Sequence, residues 1–118
     1  MKILLIDDSS LSRTVLKRAL GNHNQFVEAE EGMRGLELYF LEHPDVVFLD
    51  LTMPGMNGLE VLAQIKQLDP HARVIVGTAD IQTMTHQEAL ALGADGVITK
   101  PFTAEGVAQV VRDIFPES

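Results

Sequence analysis

Residues 46–62 of the chain are VVFLDLTMPGMNGLEVL. The first four are apolar without alternation, which predicts a short strand covered on both faces. Asp50 ends this strand, and Asn57 with Glu60 then forms the capping box that is typical of a helix start. Residues 46–62 therefore predict one βα unit, in which a strand, a loop and an amphipathic helix follow one another.

The same strand-then-helix order is found on both sides of this segment. Further strands are predicted at residues 3–6, 26–29, 74–76 and 97–98, and helical patterns follow each of them. Gly21 is the expected C-cap of the first helix, and Asp80 and Thr103 are the expected caps of the last two. Alternating βα units predict an α/β fold, with a doubly wound five-stranded parallel sheet and helices on both faces. We expect one domain over residues 1–118.

Composition restricts the class of protein. The 118 residues include no cysteine, which excludes a disulfide framework and a thiolate metal site, and they carry a formal net charge of −8. Because so acidic a chain is repelled by phosphate backbones, direct nucleic-acid binding is not expected. The first apolar run, residues 3–6, is too short for membrane insertion. These features fit a cytoplasmic protein.

Polar residues follow four of the five predicted strands. Asp7 and Asp8 follow the first, Asp50 ends the third, Thr78 follows the fourth and Lys100 follows the fifth. Ligands of such sheets bind outside the carboxyl ends of the strands. Two carboxylates about 4 Å apart repel by roughly 4 kcal/mol at an effective dielectric constant near 20. Clustered carboxylates therefore favour a hard divalent cation that takes oxygen ligands, such as Mg²⁺.

The acidic pair leaves one question open. Consecutive residues of a strand point to opposite faces of the sheet. Asp7 and Asp8 can therefore share a site only if the chain turns as the strand ends. The alternative is that Asp8 only caps the helix that follows.

Four segments together resemble the receiver domain of two-component response regulators. They are LLIDDS at residues 4–9, VVFLDLTMPGMNGLEVL at 46–62, GTAD at 77–80 and GADGVITKPF at 93–102. The resemblance covers essentially the whole chain and is to the stand-alone, chemotaxis-type form. It implies a flavodoxin-like (βα)5 fold with strand order 2-1-3-4-5. It also implies a phospho-accepting switch, with a histidine kinase or phosphotransfer protein upstream and an unidentified target protein downstream.

The resemblance assigns a role to each residue of the predicted site. It implies that Asp50 is the phosphoryl acceptor and that Asp8 binds Mg²⁺, or Mn²⁺ in its place, directly. Asp7 would act on the cation through a bound water. The backbone carbonyl of Thr52 would be a third protein ligand beside the Asp50 carboxylate.

Further roles follow from the same resemblance. Thr78 and Lys100 would each bond a phosphoryl oxygen, and Pro101 would be preceded by a cis peptide bond. Thr52 and Asp80 stand where receiver domains tune dephosphorylation, so substitution of either is expected to change the lifetime of the phosphoryl group. The chain would assist its own phosphorylation and dephosphorylation without being a conventional turnover enzyme.

Two residues depart from the family pattern. Val97 replaces the usual aromatic residue three positions before the lysine, and Gly77 replaces a bulkier apolar residue before Thr78. Both changes are expected to remove side-chain volume near the switch. We therefore expect phosphorylation to move Thr78 and the loop after it without an aromatic side chain that reports activation.

Two other functions fit parts of the pattern. One is a degenerate receiver that serves only as a phosphorylation-independent docking module. Val97 keeps this alternative open, whereas the intact set of acidic, hydroxyl and lysine residues argues against it. The other is a small hydrolase of the haloacid dehalogenase type, which also combines an aspartyl nucleophile with Mg²⁺. That class has a second aspartate two residues after the nucleophile, where this chain has Thr52.

Overall fold

The structure, a computed structural model, describes residues 1–53, 57–79 and 83–116, with the backbone alone at residues 83 and 84. Strands and helices alternate within these ranges. The strands are β1 (Lys2–Ile6), β2 (Gln25–Ala29), β3 (Val46–Asp50), β4 (Val74–Thr78) and β5 (Gly96–Thr99). The helices are α1 (Ser10–Leu20), α2 (Gly32–Glu42), α3 (Gly58–Leu68), α4 (Thr83–Ala91) and α5 (Ala104–Ile114). None of the helices described is both long enough and apolar enough to span a membrane.

The sheet is parallel throughout and confirms the predicted fold. Its strand order is β2-β1-β3-β4-β5. Asp50 at the end of β3 pairs in register with Gly77 of β4, and Thr78 pairs with Thr99 of β5. The carboxyl ends of the three strands therefore lie at one edge of the sheet, where the sequence predicts ligand binding.

Successive strand residues supply the two faces of the sheet. Ile3, Leu5 and Phe48 belong to a cluster with α1 and α5, whereas Leu4 and Leu49 belong to a cluster with α2, α3 and α4. Every residue of β3 and β4 is buried. Full burial of such a side chain contributes about 1.5–3 kcal/mol, so these two strands anchor both clusters. The prediction of strands covered on both sides is confirmed.

Polar caps fix where the helices begin. The Ser9 Oγ accepts the Ser12 N–H of α1 at 3.1 Å, so Ser9, and not Asp8, caps this helix. Asn57 and Thr103 cap α3 and α5 as predicted. Gly21 follows α1 with a φ of 96°, a backbone conformation that favours glycine. Asp80, the expected cap of α4, lies outside the described residues.

Candidate functional site

Three carboxylates meet at the carboxyl edge of the sheet. Asp7, Asp8 and Asp50 each offer a carboxylate oxygen, and these oxygens all lie within 4.8 Å of one another. Asp7 and Asp50 are only 2% and 3% exposed, whereas Asp8 is open to solvent. The chain therefore does turn at the end of β1. The alternative in which Asp8 only caps α1 is wrong.

Asp50 is held by partners on both carboxylate oxygens. Its Oδ1 accepts the Thr52 backbone N–H at 3.0 Å and the Thr52 hydroxyl at 2.8 Å. Its Oδ2 lies 3.2 Å from the Lys100 ammonium. Burial raises the pKa of Asp50, but the Thr52 hydrogen bonds and Lys100 outweigh burial and hold this pKa below its ordinary value. Asp50 is therefore a carboxylate at neutral pH.

Asp7 lies beside Asp50, and the Lys100 ammonium contacts both carboxylates. Its Oδ1 accepts the Ser9 N–H at 2.9 Å, and its Oδ2 lies 3.1 Å from the Lys100 ammonium. Burial raises the pKa of Asp7, and the nearby negative charge of Asp50 adds to this effect. The Ser9 hydrogen bond and Lys100 oppose the rise without cancelling it. Further positive charge here would therefore favour the ionised form of Asp7.

Lys100 bridges the two buried carboxylates. Burial lowers the pKa of Lys100, but its hydrogen bond to Asp7 and the charge of Asp50 outweigh burial and raise this pKa. Its backbone N–H donates to the Thr78 carbonyl at 2.9 Å. The peptide bond between Lys100 and Pro101 is cis, as the resemblance implied. Thr78 is fully buried at the end of β4, and its neighbour Gly77 pairs in register with Asp50.

The donor set fits a hard divalent cation. Asp7, Asp8 and Asp50 supply only oxygen ligands, and the single positive charge of Lys100 leaves their three negative charges partly unbalanced. Mg²⁺ prefers oxygen ligands and is commonly held by one or two carboxylates together with water and phosphate. The residues present could therefore hold Mg²⁺.

Comparison with known proteins agrees with this geometry. The model of the "response regulator receiver domain" family matches residues 3–112. This chain belongs to the response regulator receiver domain family. The chain is 40% identical to the chemotaxis protein CheY of Listeria monocytogenes over 114 residues, which cover 95% of this chain and 96% of the relative. It is 34% identical to sporulation initiation phosphotransferase F of Bacillus subtilis over 116 residues, which cover 98% and 94%.

A solved structure supports the same assignment. A chain in the crystal structure of the CheX–CheY–BeF3–Mg²⁺ complex from Borrelia burgdorferi superposes with a TM-score of 0.92 at 29% identity, covering 98% of this chain and 89% of that one. This receiver domain is thus a phosphorylatable switch of two-component signalling. It is not a conventional enzyme, and neither the docking-only nor the dehalogenase alternative is favoured.

Arg13 of this receiver domain is a buried residue for which the sequence pattern predicts no role. Arg13 is only 7% exposed, and its Nη1 donates to the Asp7 carbonyl at 2.5 Å. Its Nε donates to Glu28 of β2 at 2.8 Å. One signal was present in the sequence, since Arg13 lies three residues before Leu16 and seven before Leu20, on the apolar stripe of α1.

The two departures from the family pattern lie on opposite faces of the receiver sheet. Val97 packs against the cluster with α2, α3 and α4. Gly77 faces the other cluster, where a Cβ added to it would lie 2.8 Å from the Phe102 Cζ. Gly77 therefore does remove side-chain volume, and the Phe102 ring occupies the space that a larger side chain at this position would need. The Lys100 Nζ lies 5.7 Å from the centroid of the same ring.

Gly77→Val is expected to destabilise the receiver domain by about 1–3 kcal/mol, since it adds carbon atoms where Phe102 already packs. Urea unfolding measures this loss. In a Phe102→Leu background the loss should shrink, because the ring tip is gone, so a double-mutant cycle should give a favourable coupling energy. If the losses in the free energy of unfolding simply add in the double variant, Phe102 does not occupy the space beside Gly77.

Proposed function

We propose that Asp50 is the phosphoryl acceptor of this switch. A carboxylate oxygen of Asp50 attacks the phosphorus of a phosphohistidine on a histidine kinase or phosphotransfer protein. A P–O bond forms as the P–N bond breaks, and the electron pair of that bond returns to the donor imidazole. A small phosphodonor can take the place of phosphohistidine. The observation that carries the proposal is the buried, ionised state of Asp50, which lies between Lys100 and Thr52.

The same proposal assigns the cation ligands. Asp8 and Asp50 would hold Mg²⁺, or Mn²⁺, directly, together with the Thr52 backbone carbonyl. Asp7 would act through a bound water. When bound, the cation supplies positive charge against the phosphoryl oxygens, which phosphoryl transfer requires more than covalent assistance. The related Borrelia burgdorferi complex, which contains BeF3 and Mg²⁺, supports this assignment.

When Asp50 is phosphorylated, Lys100 and Thr78 would move toward the phosphoryl oxygens and so change the surface of the protein. The acyl phosphate carries about −1.5 to −2 charges and strong acceptor oxygens, where the Asp50 carboxylate carried a single negative charge. In the resting structure the Lys100 ammonium contacts Asp7 and Asp50, and it can turn to a phosphoryl oxygen when Asp50 becomes an acyl phosphate. The Thr78 hydroxyl would bond another oxygen and draw the loop after β4 with it. A local electrostatic change of this kind biases a packing arrangement that has two states.

Several finer assignments belong to the proposal. The domain, residues 1–118, acts in the cytoplasm, and Thr52 and Asp80 tune how fast the chain loses its own phosphoryl group. By analogy with the family, an unidentified target protein contacts the face formed by α4, β5 and α5.

Intact-mass spectrometry tests the proposed reaction directly. We expect a single phosphoryl adduct after incubation with phosphoramidate and MgCl₂, and none when EDTA replaces MgCl₂. Treatment with mild base then identifies the type of adduct. A phosphohistidine would survive this treatment, whereas an acyl phosphate on Asp50 would be lost. Absence of an adduct at saturating MgCl₂, or an adduct that forms equally well in EDTA, would refute the proposal.

A further inference from the structure

The acidic pair requires the chain to turn as it leaves β1. Side chains alternate between the two faces of a strand, so Asp7 and Asp8 would normally diverge. Their carboxylates nevertheless converge with Asp50, within 4.8 Å. Some interaction must hold the peptide unit that joins Asp7 to Asp8 in the orientation that brings both carboxylates together.

Hydrogen bonds hold Asp7 at every polar group. Its N–H donates to the Ala29 carbonyl of β2 at 3.0 Å. Its carboxylate is held by Ser9 and Lys100. Its carbonyl oxygen, which belongs to the peptide unit leading into Asp8, accepts the Arg13 Nη1 at 2.5 Å. Arg13 is therefore the side chain that fixes the plane of this peptide unit.

Arg13 is itself anchored on the neighbouring strand and the loop after it. Its Nε donates to Glu28 at 2.8 Å, and its Nη2 lies 3.5 Å from Glu30. The Arg13 side chain is 9% exposed, so its guanidinium is fixed by packing as well as by these partners. Burial raises the pKa of Glu28, but hydrogen bonds from Lys17 and Arg13 outweigh burial and lower it, so the anchor is an ionised carboxylate.

We propose that Arg13 is a positioning residue for the divalent-cation site. It connects β2 to the Asp7 carbonyl and so holds the Asp7–Asp8 turn in the conformation that presents both carboxylates beside Asp50. The inference rests on the proposed cation site and adds to it a residue that touches neither the cation nor the phosphoryl group. Partners of this outer kind commonly change metal affinity by about 10–100-fold when they are removed.

Charge and geometry predict opposite results when Arg13 is replaced. Arg13→Gln removes one positive charge next to the Asp7 carbonyl, so Coulomb attraction alone would make Mg²⁺ bind more tightly. If Arg13 positions the acidic pair, Mg²⁺ binds more weakly despite the added negative charge. The sign of the change therefore separates the two effects.

Lys17 provides a matched control. It lies one turn later on α1 and also pairs with Glu28, at 3.0 Å, but the Asp7 carbonyl is held by Arg13. Lys17→Gln removes the same charge from the same partner, and we expect its affinity for Mg²⁺ to stay within about twofold of the parent. Arg13→Lys keeps the charge and the aliphatic stem but loses the fork that reaches the Asp7 carbonyl, Glu28 and Glu30. We expect this variant to bind Mg²⁺ more weakly than the parent as well.

Calorimetric titration of the full chain with MgCl₂ alone measures the effect. We expect Arg13→Gln to weaken Mg²⁺ binding by about 10-fold or more. We also expect it to raise the MgCl₂ concentration for half-maximal phosphorylation by phosphoramidate, while the maximal rate changes much less. Unchanged or tighter Mg²⁺ binding in Arg13→Gln would overturn the inference. If Arg13→Gln does not fold, parent-like affinity in Arg13→Lys would overturn it.

The same titration separates this inference from the proposed function. A parent that binds Mg²⁺ but accepts no phosphoryl group would refute the function while Arg13 is still tested by affinity. A parent that is phosphorylated normally, together with an Arg13→Gln variant of unchanged affinity, would refute the inference alone. A parent that binds no Mg²⁺ would refute both.

Discussion

Asp50→Asn is expected to reduce phosphoryl transfer by on the order of 10³-fold or more, because an amide cannot serve as the nucleophile. The substitution keeps the shape of the side chain. Its amide oxygen can still accept the Thr52 backbone N–H, which Asp50 now accepts at 3.0 Å. The loss therefore reflects removal of the acceptor and not loss of the fold. Intact-mass analysis after incubation with phosphoramidate and MgCl₂ measures it.

Asp113→Asn is the control for this experiment. Asp113 is an exposed carboxylate on α5 that accepts a hydrogen bond from Gln109 at 2.9 Å, on a helix away from the acidic cluster. We expect this variant to accept the phosphoryl group at the parent rate. An Asp50→Asn variant that still gains a stable adduct under the same conditions would show that another residue is the acceptor.

The part of the site that follows from strand ends could be predicted from the sequence. Polar residues closely follow four of the five predicted strands, and parallel strands bring their carboxyl ends to one edge. Asp50, Lys100 and Asp7 therefore had to lie near one another once the order of strands was known, and the structure joins them within 3.2 Å.

The parts that depend on contacts between distant side chains could not be predicted. Arg13 reaches Glu28 on β2, the strand with the weakest apolar pattern, and the sequence does not show which carboxylate it meets. The Phe102 ring fills the space beside Gly77 because the chain after β5 folds back over β4, a packing that no local pattern reveals. Both interactions are set by tertiary packing and not by the period of apolar residues.

Lys100→Met is expected to destabilise the metal-free chain by about 3 kcal/mol, because it leaves two buried carboxylates without their shared cation. The side chains of Asp7 and Asp50 are 3% and 1% exposed, so water cannot replace the ammonium. Lys100 holds the pKa of Asp50 down, and its loss raises that pKa. The deficit in stability should therefore be largest at neutral pH and shrink as pH falls and the carboxylates become protonated.

The same variant should respond to Mg²⁺ more strongly than the parent. Removing a positive charge from the cluster favours a divalent cation, so MgCl₂ should raise the melting temperature of Lys100→Met by more than it raises that of the parent. Phosphoryl transfer at saturating MgCl₂ should nevertheless fall by about 10²-fold, since the ammonium that would meet a phosphoryl oxygen is gone. Tighter Mg²⁺ binding combined with slower phosphorylation would separate the two roles of Lys100.

Lys66→Met is the control that separates the effect of the cation site from the general loss of stability when a largely buried lysine is replaced. The Lys66 side chain is 14% exposed, against 17% for Lys100, and Lys66 pairs with Asp95 at 2.9 Å away from the acidic cluster. It should lose stability, but MgCl₂ should shift its melting temperature no more than that of the parent. If MgCl₂ stabilises Lys100→Met and Lys66→Met equally, Lys100 does not neutralise the cation site, and the charge balance proposed for Asp7 and Asp50 is wrong.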